Sequence, residues 1–152
     1  EHEIALIDSL QPNEVAILLC HQHHEIAPWG ELLSTRSQYL KAAGCLTDGS
    51  VRDVKRIRQM NFPVFAGNIG PLDSKHRGKL MWYDVPGKIH GVNVNSGDFI
   101  FGDVDGVVIV PQQITAEVVE KALQKVREEN QVRDMLENGV SLVKAFEEHG
   151  IL

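Results

Sequence analysis

The most constraining stretch of the chain is Val15-Ala16-Ile17-Leu18-Leu19-Cys20. A continuous apolar run has no polar side to turn towards water. Short and bounded by turn residues, it suits a strand covered on both faces, as in a parallel sheet. Gln11-Pro12-Asn13 precedes it and breaks the helix that Ile4, Ile7 and Leu10 suggest over residues 2–10.

Parallel strands need crossover connections, and the following sequence supplies them. Residues 21–28 read as a polar loop. Residues 29–43 read as a helix with Leu32, Leu33, Leu40 and Ala43 on one side and Gly44 as its C-terminal cap. Cys45-Leu46-Thr47 reads as a short strand ending at Asp48-Gly49. Ser50, with Asp53 three residues on, is a capping-box variant that opens a helix to about Met60. Pro63 to Ala66 is the next strand. Between Leu80 and Val110 the pattern changes to short β-like runs, among them Phe99–Phe101 and Val107–Val110. Ser96-Gly97-Asp98 and Asp103-Val104-Asp105-Gly106 supply the turns, and Pro111 closes the last run. Thr115 is positioned to cap a long helix from Ala116 to about Glu137, with Val118, Val119, Ala122, Leu123 and Val126 as its buried stripe. Asn138-Gly139 ends it, and Ser141 begins a last short helix. This order predicts an α/β layered domain with a mixed sheet.

Composition narrows the function. The chain has 152 residues, which suits a single domain over 1–152. Fifteen Lys and Arg against 21 Asp and Glu leave a net charge of −6, so no nucleic-acid partner is expected. No apolar run reaches the ~18 residues of a membrane span, so no membrane partner is expected either. Cys20 and Cys45 each sit in an apolar run and fit a reducing, cytoplasmic setting. Residues 1–10 are acidic and amphipathic, unlike a signal peptide. The absence of an initiator Met, with a helix already under way, suggests part of a longer polypeptide.

Two strand-to-helix junctions carry the polar chemistry. In Asp48-Gly49-Ser50-Val51-Arg52-Asp53, Arg52 offers a planar fork to a carboxylate and Asp53 a hard oxygen to a divalent cation. The plainer reading is a helix cap with a surface Arg. In Trp29-Gly30-Glu31-Leu32-Leu33, Gly30 permits close approach of backbone, and free amides at a helix start attract anions. Glu31 there is either a metal-facing carboxylate or an acid favoured by the helix dipole. Ligands gather at the carboxyl ends of strands in open α/β sheets, so two such junctions are expected to face one site. His21-Gln22-His23-His24-Glu25 matches no tetrahedral zinc spacing and reads as a polar loop. No G-x-G-x-x-G, Walker A or G-x-S-x-G sequence occurs.

Trp29 to Leu33, Gly44 to Asp53, Asn61 to Ala66, Val94 to Asp98 and Gly102 to Pro111 together resemble one family. It contains the class II 4-hydroxy-4-methyl-2-oxoglutarate and 4-carboxy-4-hydroxy-2-oxoadipate aldolases and the regulator of ribonuclease activity RraA. The resemblance implies an RraA-like α/β/β sandwich, assembled as a trimer or a dimer of trimers with sites between subunits. It also implies that about 60–80 residues of the family fold precede the point matching Glu1. The aldolase signature is an acidic residue, 20 intervening residues and Arg-Asp, which Glu31 and Arg52-Asp53 fit. By resemblance, Asp53 binds Mg²⁺ or Mn²⁺ and Glu31 acts through a water. Arg52 stabilises the enolate, while the amides around Gly30, Glu31, Leu32 and Leu33 bind the substrate carboxylate. Glu128 from a neighbouring subunit, or else Glu129, completes the site. The implied activity is metal-dependent cleavage of a 4-hydroxy-2-oxo acid to pyruvate, with oxaloacetate decarboxylation as a side reaction. The alternative is a non-catalytic RraA-type regulator that binds and inhibits a ribonuclease.

Overall fold

The computed structural model describes residues 2–21 and 23–150. It forms two compact units, the first running to Ile109 and the second starting at Val110. Gln22, within the His21–Glu25 loop, lies outside the described residues.

The first unit is built on a three-stranded parallel sheet of β1 (Val15–Leu18), β2 (Gly44–Val51) and β3 (Val64–Ile69), with β2 in the centre. Helices α1 (His2–Asp8), α2 (Glu31–Tyr39) and α3 (Val54–Met60) alternate with these strands. Ile7, Ala16, Trp29, Cys45, Val51, Ile57 and Phe62 form one buried cluster, in which the Trp29 and Phe62 rings stack 6.4 Å apart. Two hairpins follow, β4 (Gly87–Ile89) with β5 (Val92–Val94) and β6 (Phe99–Asp103) with β7 (Gly106–Val110). The 103–106 turn closes the second as predicted, and the 96–98 turn joins β5 to β6. The first hairpin turns at His90-Gly91, which the turn residues did not mark. Parallel and antiparallel pairs thus occupy separate sheets. Gly87 lies against Leu19, and Gly102 against the Phe65 ring, so these hairpins approach the parallel sheet where a side chain is missing.

Several local expectations are revised. The apolar run ends as a strand at Leu18, and β1 is a half-buried edge on which only Ala16 is fully buried. The strand covered throughout is β2, which continues through Asp48 and Gly49 to Val51. Its pairing with β3 shifts register between Thr47 and Ser50, so the apparent turn is a bulge inside the strand. Polar residues tolerate this burial because their atoms are bonded. Asp48 Oδ1 accepts from the Cys20 amide at 2.5 Å, Asp48 Oδ2 from the His21 amide at 3.2 Å, and Ser50 Oγ donates to the His24 carbonyl at 2.7 Å.

Ser50 is therefore no helix cap. Asp53 holds that position before α3, at φ 60° and without a side-chain capping bond. Gly44 begins β2, where a methyl group would meet the Pro63 carbonyl at 2.8 Å, and Leu40 caps α2. The buried side of α2 is also different. Leu32 is 72% exposed, whereas Ser34 and Ser37 are fully buried.

In the second unit a 3₁₀ turn (Gln112–Ile114) leads into α4 (Thr115–Glu137), followed by α5 (Leu142–His149). Ile114, not Thr115, is the N-cap of α4, and the Thr115 hydroxyl donates to the Pro111 carbonyl. The expected stripe on α4 is largely uncovered: Leu123 and Val126 are exposed, and Val132 is the buried residue of this helix. Ser141 caps α5 as predicted, accepting from the Lys144 amide. Among the described residues no helix is long and apolar enough to cross a membrane.

Candidate active site

The two polar junctions meet. Beyond the 20–26 loop, Trp29 forms a parallel bridge to Val51, and the Arg52 amide donates to the Trp29 carbonyl at 3.0 Å. The start of α2 is thereby laid beside the end of β2, which brings Gly30 against Arg52 and Asp53. A Cβ on Gly30 would lie 2.7 Å from Asp53 Oδ2 and 3.1 Å from the Arg52 side chain, so a side chain at residue 30 would displace the Asp53 carboxylate and Arg52 from this arrangement. The Gly30 backbone is extended (φ −156°), so the requirement here is space, not conformational freedom.

Asp53 Oδ2 accepts from the Glu31 amide at 3.1 Å and from Arg52 Nη1 at 3.0 Å. No bond to Asp53 Oδ1 occurs among the described residues. The Arg52 and Asp53 side chains are each 38% exposed, so they face solvent while anchored on one edge. Arg52 Nε is buried and has no hydrogen-bond partner among the described residues. Glu31 begins α2, and its Oε1 accepts from the Thr35 hydroxyl at 3.1 Å. Because the Glu31 amide bonds Asp53, the first-turn amides of α2 left without an intrahelical partner are those of Leu32 and Leu33. An open cavity of about 410 Å³ adjoins this cluster, lined by Arg52, Asp53, Ile69, Pro71 and Asp73. The Ala27–Asp73 bridge holds the last of these next to the segment that delivers Trp29.

Glu128 and Glu129 lie on α4 in the second unit. Glu128 accepts from the neutral Gln124 amide at 2.9 Å, while Glu129 is 3.6 Å from the Lys125 ammonium. Among the described residues no three His, Cys, Asp or Glu side chains cluster to hold a metal. His21, His23 and His24 are exposed on the polar loop, with His23 3.7 Å from Glu25 and His24 stacked on His90.

Ser34 and Glu3 carry too weak a sequence signal to be singled out, and Asp48, though within the polar cluster, reads in sequence as the end of a strand. Ser34 lies beneath Gly30, where apolar periodicity predicts a leucine-lined face. Asp48 looks like half of a turn. Glu3, on α1, is half-buried: burial raises its carboxyl above the usual range, opposed by nearby positive charge that includes Arg52. Burial likewise raises the Cys20 thiol, and raises Cys45 strongly.

The family described as "RraA-like: Aldolase/RraA" matches residues 2–109, close to the extent of the first unit. Protein DlpA of Legionella pneumophila is 31% identical over 143 residues, covering 94% of this chain and 23% of DlpA. A Thermus thermophilus protein named 4-hydroxy-4-methyl-2-oxoglutarate aldolase is 36% identical over 70 residues, covering 46% of this chain and 42% of its own. The chain thus spans less than half the length of these two relatives. Among solved structures, Streptomyces coelicolor RraAS2, described as an unusual member of the RNase ES inhibitor RraA protein family, superposes with a TM-score of 0.76. It is 28% identical, over 86% of this chain and 66% of that one. With residues 2–109 matched and the α/β fold shared, the chain belongs to the RraA-like family.

Proposed function

We propose that the chain belongs to a divalent-metal-dependent aldolase that cleaves 4-hydroxy-4-methyl-2-oxoglutarate, or a related 4-hydroxy-2-oxo acid, to pyruvate. The observation that carries this reading is the junction of Gly30-Glu31 with Arg52-Asp53, two motifs 20 residues apart joined by a 3.1 Å hydrogen bond.

The donor set fits a hard cation. Mg²⁺ is commonly held by one or two carboxylates and keeps several waters, so it needs no three-residue cage. Asp53 has, beside solvent, an oxygen without a partner among the described residues, and Glu31 starts the adjacent helix. Asp53 would hold Mg²⁺ or Mn²⁺ directly, with Glu31 and a neighbouring subunit's Glu128 acting through water. The cation would supply a Lewis acid for the keto and carboxylate oxygens of the substrate. Leu32 and Leu33 would orient the pyruvyl carboxylate through their amides. Arg52, fixed by Asp53 on one side, presents positive charge to the oxygen on which enolate charge develops, an effect commonly worth ~3 kcal/mol per donor. Decarboxylation of oxaloacetate passes through the same enolate and follows from the same residues. A role for Glu128 implies a homotrimer or hexamer.

The test is pyruvate release from both acids, with and without Mg²⁺. Activity that is abolished by EDTA and restored by Mg²⁺ or Mn²⁺ is expected. Full activity in EDTA would remove the metal from the reading. No pyruvate from either acid would favour the regulator alternative, which the likeness to RraAS2 supports. For the shared site, inactive Asp53→Ala and Glu128→Ala subunits should regain activity when co-assembled, and silence in verified mixed trimers would exclude Glu128.

A further inference from the structure

The junction that places Arg52 and Asp53 is itself held from beneath. Trp29 is fully buried, and its indole N–H donates to Ser34 Oγ at 2.8 Å. The Ser34 hydroxyl, also fully buried, donates in turn to the Gly30 carbonyl at 3.0 Å. That carbonyl accepts a second bond, from the Ser34 amide at 3.1 Å. One residue thus grips the Gly30 carbonyl twice, and a buried aromatic ring grips that residue. The ring cannot drift, because it stacks on Phe62 and its own carbonyl is bonded to the Arg52 amide.

The Gly30 carbonyl and the Glu31 amide belong to the same rigid peptide plane. Fixing the carbonyl fixes the direction of the N–H that meets Asp53 Oδ2. Ser37 gives an internal contrast. It is equally buried on the same helix, but its hydroxyl has no hydrogen-bond partner among the described residues. Burial of a serine on α2 is therefore not enough to account for the chain of bonds under Gly30.

We propose that Trp29 and Ser34 are positioning residues, whose indole-to-hydroxyl-to-carbonyl chain fixes the Gly30–Glu31 peptide and through it the pose of Asp53 and Arg52. The kinetic part of the test rests on the aldolase reading above; the structural part does not.

The experiment compares Ser34→Ala, Trp29→Phe and Ser37→Ala by amide hydrogen exchange and by oxaloacetate kinetics on the full chain. Ser34→Ala removes both side-chain bonds and should speed exchange of the Glu31 amide about 10-fold or more. It should lower kcat/KM by about 10-fold while circular dichroism stays unchanged. Trp29→Phe keeps a ring against Phe62 and the Ser34 bond to Gly30, so it should move both readouts the same way by less. Ser37→Ala should move neither. If Ser34→Ala changes Glu31 exchange no more than Ser37→Ala does, the proposal is overturned. If Trp29→Phe unfolds the chain, the two serine variants decide alone. If the wild-type chain releases no pyruvate, the aldolase reading fails and the exchange data still judge the brace.

Discussion

Strands β1 and β2 lie side by side and invert what their sequences suggest. β1 is made only of Val, Ala, Ile and Leu, yet most of it is half-exposed. β2 carries Thr47, Asp48, Gly49 and Ser50 and is buried from end to end. The difference is position and bonding. β1 pairs on one side only, whereas β2 has a partner on each edge. The 20–26 loop crosses β2, donating two backbone amides to Asp48 and accepting from the Ser50 hydroxyl, so their burial carries little penalty. In this unit a residue's burial follows from its place in the sheet and from whether its polar atoms find partners.

The sharpest way to break this comparison is Asp48→Ala. It strips a 4%-exposed carboxylate from two backbone amides and should cost about 3 kcal/mol in chemical denaturation. Ile17→Ala on β1, though a larger apolar deletion, should cost only ~1 kcal/mol, because its site is half-exposed. Equal losses would mean that hydropathy, not bonding, governs both strands.

Next comes the end of β2, where buried strand gives way to exposed chemistry. Arg52→Ala should lower kcat/KM for oxaloacetate by about 10²-fold, close to 2.7 kcal/mol, with little change in melting temperature. A normal rate would return Arg52 to the status of a surface cap.

A smaller effect is expected at the bulge. A methyl group on Gly67 would sit 2.5 Å from the Asp48 carbonyl, so Gly67→Ala should destabilise by about 2 kcal/mol. Full stability would mean that β3 has slack opposite Asp48.

The mildest probe compares the thiols. Cys20 is half-buried and Cys45 fully buried, and burial holds both pKa values above the ordinary one. Cys20 should label slowly at pH 8, and Cys45 only on unfolding. Below the unfolded-state thiol pKa both states are protonated and the stability is intact. As pH rises through that value towards the raised folded ones, the unfolded chain ionises first and stability falls. Faster labelling of Cys45 than of Cys20 would contradict the burial order of the two thiols.

The turns at 96–98 and 103–106, the Ser141 cap and the meeting of Glu31 with Arg52-Asp53 were legible, because each rests on a few residues with local rules. The faces of α2 and α4 were not. Periodicity assigned Leu32 and Leu123 to the interior, but α2 turns serines inward, one of them to meet the Trp29 indole, and α4 leaves its stripe uncovered. The extent of β2 was hidden for a related reason. Asp48-Gly49 has turn chemistry, and only the loop folded over it makes the strand conformation affordable. The carboxylate pair was visible as spacing, whereas the close approach at Gly30 needed coordinates.

Asp53 sits at φ 60°, a left-handed region that costs L-residues roughly 1–2 kcal/mol, with Asp at the lower end. Glycine would relax that backbone at once. Residue 53 is therefore a place where durability and chemistry pull in opposite directions. A population of variants screened for heat tolerance alone would tend to lose the aspartate. Its retention in a library passaged for growth on the substrate would measure how strongly the carboxylate is needed.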